Sequence, residues 1–316
     1  MPPLLHGQAA AILMYHRIAD DGTDLCVSPA EFRAHMASLR AAGYPVLALT
    51  DLAAQLKAGT LPVRSVAITF DDGYLDALTH AAPILQEFAF PATFFAVSCT
   101  LDEPGEFWWE TLERVFAHST LPTLLDVALP AGCPSMATRT RDERQAALAA
   151  VRGTFYPLAL EAQRAQIDAL LAWSGLSRAS GTGYVRALTP EELRRLSRIP
   201  GMEIGAHTEH HVLLPAQTTP TKQREIVVGK RRLEAVLERE VASFSYPHGG
   251  FDEETIAMTA AAGFSVAVTT GNLAASADHH PLALPRIGIR AGDDLLQRLH
   301  TAFDPPAPVP IQESRA

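Results

Sequence analysis

Short apolar runs alternate along the chain with stretches whose apolar positions recur every three to four residues, the signature of strands interleaved with amphipathic helices. The first run, 11–14, precedes a helix predicted over 29–42, opened by Ser28 with Pro29 at its first position and closed by Gly43. A strand at 45–48, a helix at 52–58 ended by Gly59 and an apolar strand at 66–70 follow. A helix at 77–88 then leads to a second apolar strand at 93–97. Such alternation builds parallel strands with helical crossovers, as in an α/β barrel or a doubly wound sheet.

Between 101 and 188 the pattern changes. Trp108-Trp109-Glu110, helical periodicity at 141–152 and 160–173, and a small-residue loop at 174–183 read as a helical insertion. The parent pattern resumes at Thr189-Pro190-Glu191-Glu192, a capping box with proline in the first turn. A strand ending at Ala206, a helix at 222–238, a strand at 242–246, a helix at 253–262, and strands at 265–269 and 284–289 complete the series. The expected division is a first part of the α/β unit in 1–100, an insertion in 101–188, a second part in 189–303 and a flexible, proline-rich tail in 304–316.

With 47% hydrophobic and 19% charged residues the chain has the means to bury a core, and no apolar run approaches the length of a membrane span. A net charge of −9 gives no broad cationic face, which argues against nucleic acid and for a small or neutral substrate. Cys26, Cys99 and Cys133 are odd in number and widely spaced, so neither a disulfide framework nor a thiolate zinc site is indicated. The opening residues, Met1 to Gly7, lack the basic region of a secretory signal, and the expected location is the cytoplasm.

Three strand-end motifs carry candidate chemistry. In Thr69-Phe70-Asp71-Asp72-Gly73, adjacent carboxylates point in different directions, so one can ligate a cation while the other takes a proton from water. Taken alone, Asp-Asp-Gly is most often a turn with solvated carboxylates. In Gly205-Ala206-His207-Thr208-Glu209-His210-His211, residues four apart on a helical turn share a face, so His207 and His211 can share a cation, with His210 as a three-apart alternative. The third motif, Phe244-Ser245-Tyr246-Pro247-His248-Gly249-Gly250, offers backbone N–H groups near a ligand.

Together these motifs resemble the polysaccharide deacetylase family, carbohydrate esterase family 4 with its NodB homology domain, over roughly 11–98 and 188–299. The resemblance implies a distorted (β/α) barrel of about seven strands and a metal-dependent hydrolase that removes acetyl groups, N-acetyl first among them, from a saccharide by cleaving a linear amide. It assigns Asp71 as general base and Asp72, His207 and His211 as ligands of a divalent metal. Zinc suits that donor set, with cobalt, nickel, manganese and iron as alternatives. The same resemblance gives the strand-end Tyr246, Pro247 and His248 to substrate and oxyanion binding, the last through its backbone N–H.

Two departures stand out. Ser245 occupies the place of an arginine found in many members, and 294–300 only loosely matches the late motif that ends in the acid histidine. Met14-Tyr15-His16-Arg17-Ile18 instead looks like the opening motif of circularly permuted members, in which an early histidine is the general acid. That role falls to His16, for which a pKa near the ordinary value of about 6.5 supplies a proton around neutrality. Arg286 is placed to substitute for the missing arginine beside Asp71. The alternatives are a hydrolase of small cyclic amides or imides on the same fold, and a carbohydrate-binding pseudoenzyme.

Overall fold

The computed structural model describes residues 9–22, 25–102, 105–118, 120–129, 132, 134–178 and 186–304. The opening heptapeptide, Cys133 and the tail beyond Asp304 lie outside the described residues. Strand β1 (Ala9–Tyr15) leads through α1 (Pro29–Ala41) and α2 (Leu49–Ala58) to β2 (Ser65–Phe70). Then come α3 (Ala82–Phe88), entered through a π turn at Ala77–Ala81, and β3 (Ala92–Ala96). After α4 (Trp108–Ala117), α5 (Arg141–Phe155), α6 (Leu160–Ser174) and α7 (Pro190–Ser197), the strand–helix order returns with β4 (Met202–Ala206), α8 (Thr219–Leu237), β5 (Ser243–Ser245), α9 (Glu253–Ala261) and β6 (Val266–Val268). Two short strands, β7 (Ala275–Ser276) and β8 (Ile287–Gly288), precede α10 (Leu295–Phe303).

The sheet runs β6-β5-β4-β3-β2-β1, all parallel, with β7 antiparallel at the free edge of β1. β8 also pairs with β1, in parallel, through Leu13↔Ile287 and Met14↔Gly288. Three residues upstream of β8, Leu284 bridges in parallel to Val268 of β6. The stretch from Leu284 to Gly288 therefore touches both ends of the sheet and acts as the seventh parallel stave of a distorted barrel. Every side chain of β2 and β3 is buried, as in strands covered on both faces. On the face covered by the helices, Phe70 stacks on Phe94 at 4.7 Å between ring centroids and meets Phe32 of α1 edge-on.

Local signals set the helix ends. Ser28 accepts the Glu31 N–H at 3.1 Å, Thr189 and Glu192 form the reciprocal capping box, and Gly59 closes α2 in the left-handed conformation. The strand expected at 45–48 is reduced to one bridge, Val46↔Val66. Proline at 45 has no N–H to donate and α2 already begins at Leu49, which leaves no length for a ladder.

Helix α4, built on the Trp108-Trp109-Glu110 sequence, packs with α5 and α6 around an apolar cluster of its own that includes Leu112, Val115, Val151, Phe155 and Leu170. Among the described residues Cys26 and Cys99 form no disulfide, and burial pushes Cys99 up to about 12, so it is inert. Among the described residues, no helix is long and apolar enough to cross a membrane.

Candidate active site

The catalytic faces of barrels lie at the C-terminal ends of their strands, and the predicted residues gather there. His16 follows β1, Asp71 and Asp72 follow β2, His207 follows β4 and Tyr246–His248 follow β5. Arg286 comes immediately before β8, on the closing stave.

Arg286 is fully buried and grips Asp71 with both ends of its guanidinium, at 2.7 and 2.6 Å. The same group donates to Ser245 Oγ, Thr69 Oγ1 and the Thr269 carbonyl. Burial alone raises the pKa of Asp71, but Arg286 and His207 outweigh it and hold the carboxyl well below the usual range. Ser245, at the end of β5, meets this guanidinium through its Oγ at 2.9 Å.

Asp72 Oδ1 lies 3.3 Å from His211 Nε2 and 3.6 Å from His207 Nε2, and the three donor atoms fall within 4.8 Å of one another. His207 Nδ1 is 2.7 Å from the Ser245 carbonyl, which can only accept, so Nδ1 carries the proton and Nε2 presents a lone pair. Burial lowers the pKa of both imidazoles and keeps them neutral, the form that binds a metal. Asp72 is pushed well up, first by burial and then by Asp71 and Glu110, and its buried Oδ1 has no hydrogen-bond partner among the described residues. An orphaned carboxylate oxygen facing two bare imidazole nitrogens fits a divalent cation.

The segment joining the two histidines is not helical. Thr208 (φ 64°) and His211 (φ 58°) are left-handed, and this kinked loop, rather than an i,i+4 helical face, turns both rings inward. Asp72 (φ 73°) and His248 (φ 58°) share that conformation, so four of the eight described non-glycine residues with positive φ line one site. Strain concentrated in this way is characteristic of functional centres.

Residues not foreseen from sequence hold the loop. Thr208 Oγ1 accepts the His211 N–H at 2.9 Å, Glu225 of α8 takes both the His210 N–H and its Nδ1 at 2.8 Å, and Glu209 pairs with Arg224 and Arg232. His210 is thereby turned away from the metal-type cluster, which removes the three-apart alternative. A Cβ at Gly229 would meet the Thr208 carbonyl carbon at 2.8 Å, so α8 can approach only because this position is glycine. A glycine inside a helical pattern was the one available signal.

A cleft of about 270 Å³ opens above these groups, with Asp71, Asp72, His16, His207, His211 and His248 in its wall. Burial pushes His16 and His248 each down to about 4, so His16 is neutral at neutral pH instead of titrating near 6.5. Tyr246 is buried, donates its hydroxyl to Thr259 and packs on Phe244, while Pro247 opens the turn that presents His248. Neither of the two lines the cleft. Gly249, whose Cβ would strike Thr270 Oγ1 at 2.2 Å, keeps that turn tight. His300 is exposed on α10, outside the cleft-lining set.

The helices of 108–174 supply the opposite wall. Trp109 lies 4.6 Å from the His211 ring, stacks on Phe107 and donates to the Tyr74 hydroxyl at 2.9 Å. Trp108 stacks on Phe155, and Tyr156 meets His248 edge-on at 4.8 Å. Glu110, bonded to Tyr74 and pushed up to about 7 mainly by burial, stands behind Asp72.

A seven-stave (β/α) barrel with a buried carboxylate–imidazole cluster at its strand ends defines a NodB-type fold with a hydrolase-like centre. The chain belongs to the polysaccharide deacetylase family, whose profile, described as "Polysaccharide deacetylase", matches residues 58–121 and 148–267. It is 24% identical over 282 residues to YxkH of Bacillus subtilis (strain 168), which bears a polysaccharide deacetylase name; the match covers 89% of this chain and 71% of YxkH. Over 108 residues it is 32% identical to the poly-beta-1,6-N-acetyl-D-glucosamine N-deacetylase of Escherichia coli (strain K12), covering 33% of this chain and 16% of that enzyme. The fold is shared with Streptococcus pyogenes deacetylase PplD, solved in complex with acetate (TM-score 0.63, 19% identity, 95% of this chain and 100% of that one). It is shared equally with IcaB from Ammonifex degensii (TM-score 0.61, 17% identity, 94% and 98%).

Proposed function

We propose that this protein removes acetyl groups, N-acetyl first among them, from a saccharide in a reaction that needs a divalent metal. The observation carrying this reading is the Asp72, His207 and His211 cluster, whose orphaned carboxylate oxygen lies beside an Asp71 that Arg286 keeps ionised. A divalent cation of the zinc type, held by Asp72 Oδ1 and the Nε2 atoms of His207 and His211, would supply Lewis acidity toward a water and the acetyl carbonyl.

The remaining work falls to the chain itself. Asp71 takes the proton of the attacking water, and Arg286 fixes both its orientation and its charge. The His248 backbone N–H faces the developing oxyanion, with Tyr246 and Pro247 anchoring its turn. His16, neutral at rest, takes over the proton that Asp71 accepted from the water and hands it to the departing sugar nitrogen, which returns Asp71 to its carboxylate. Trp109 and Phe107 exclude water from the His211 side. In this reading the 101–188 segment is an insertion that walls the cleft.

Acetate release from N-acetylated oligosaccharides, followed with and without chelator, tests the proposal. Chelator-sensitive release restored by added zinc or cobalt is expected. Opening of a cyclic imide with no acetate from any saccharide would replace this reading with the imide hydrolase, and binding without turnover would replace it with the pseudoenzyme.

A further inference from the structure

A second cavity, of about 400 Å³, adjoins the cleft and shares Met14, His16, Thr270 and Arg290 with it. Among the described residues three guanidinium groups, those of Arg286, Arg290 and Arg298, stand in its wall against one carboxylate, Asp293, and Arg290 also borders a neighbouring cavity lined by Asp20 and Glu31. Arg286 is neutralised by Asp71. Asp293 is engaged by the backbone N–H of Arg290 at 2.8 Å, not by a guanidinium. Among the described residues Arg298 donates only to neutral oxygens, Asn272 Oδ1 at 2.9 Å and the Gly288 carbonyl at 2.8 Å, and its buried Nε has no partner there. The Arg290 side chain is exposed and makes no hydrogen bond or ion pair among the described residues.

In a chain of net charge −9, Arg290 and Arg298 stand together in one cavity wall with no ion pair among the described residues, whereas other arginines without an ion pair, such as Arg40 and Arg144, line neither this cavity nor the cleft. A cation held in place by carbonyl dipoles and left uncompensated raises the local potential, and a concave wall focuses it. Planar guanidinium donors suit phosphate and carboxylate oxygens better than neutral hydroxyls. His16 lines both cavities, so a saccharide with its acetamido group over Asp71 has a neighbouring substituent directed towards Arg290 and Arg298.

We infer that the saccharide carries an anionic substituent, a phosphate or a carboxylate, which docks on Arg290 and Arg298 beside the reacting acetamido group. This specificity rests on the deacetylase reading, and binding separates the two. The probes are a neutral N-acetylglucosamine tetramer, the same tetramer with a terminal phosphate, and a tetramer containing one uronate. Calorimetry on metal-stripped protein excludes phosphate–metal binding. At least one anionic probe is expected to bind about tenfold more tightly than the neutral one, with an affinity that falls as salt rises. Arg290→Gln is expected to remove most of that preference, and Arg290→Glu to reverse it.

The phosphate and uronate arms identify the source of the anion. Because Arg298 also braces Asn272 and Gly288, Arg290 is the variant that decides. Equal binding of neutral and anionic probes to the unaltered protein, or an equal loss for all three in Arg290→Gln, overturns the inference. No acetate from any probe alongside an intact Arg290-dependent preference counts against hydrolysis and for the anion site. Acetate release without the preference counts against the anion site alone.

Discussion

Replacing Arg286 with methionine tests the tie between fold and centre, because this side chain belongs both to the stave that closes the barrel and to the carboxylate read as the base. Methionine keeps much of the volume but removes five hydrogen bonds, to Asp71 twice and to Thr69, Ser245 and Thr269. What remains is a 4% exposed carboxylate with Ser245 Oγ at 3.5 Å. Breaking a buried ion pair by removing one partner costs about 3–5 kcal/mol. At roughly 2–4 °C per kcal/mol for a chain of this order of size, the melting temperature should fall by about 10 °C.

With Arg286 gone, burial dominates Asp71, its pKa rises, and the acid limb of the pH–rate profile moves to higher pH. The assay is guanidinium unfolding of metal-stripped protein for Arg286→Met, Asp71→Asn and the double variant, together with pH–rate profiles of the metal-loaded forms. Each single change strands a buried charge or dipole, so the double variant should be less destabilised than the sum by about 1–3 kcal/mol. A single-variant cost under about 1 kcal/mol with strict additivity would refute the claim that the pair is coupled in the folded state.

Other expectations follow from the same geometry. Asp72→Asn and His211→Ala should strip bound metal while Asp71→Asn retains it, and the reverse pattern by metal analysis would exchange the roles of the two aspartates. His16→Asn should lower kcat on an N-acetyl substrate by about 10²–10⁴ with metal content near normal, and lower it less on an activated ester; a His300→Asn variant with the larger loss would move the acid role to α10. Trp109→Ala should cost stability as well as raising KM, since its ring is both core and wall, so a KM change at unaltered melting temperature would show it to be wall only. Glu192, lowered to about 2, outweighs its burial through Arg186 and Thr189. A lowered carboxylate stabilises the fold above its ordinary value near 4.5, and that contribution is lost as pH falls toward 2. Glu192→Gln should therefore cost about 1 kcal/mol at pH 7 and flatten stability over that acid range, as urea titrations at several pH values would show.

Much of this protein is decided locally and so was legible in its residues. Proline and serine at the start of α1, the Thr189/Glu192 box and the wholly apolar run of β2 each fix an element through near neighbours alone. The grouping of Asp71, Asp72, His207, His211, His248 and Arg286 was legible because parallel strands carry whatever follows them to one end of a barrel. The rest depends on contacts between segments far apart in sequence. The left-handed Thr208 and His211 accompany the approach of α8 through Gly229 and Glu225, so the two histidines that a helical spacing rule pairs come together in the fold through a different geometry. The depressed pKa of His16 and the exclusion of Tyr246 from the cleft come from burial, which no spacing reveals. That Arg290 and Arg298 make no ion pair among the described residues while sharing one cavity wall could be learned only from the fold, because charge balance is a property of the packed surface and not of the chain.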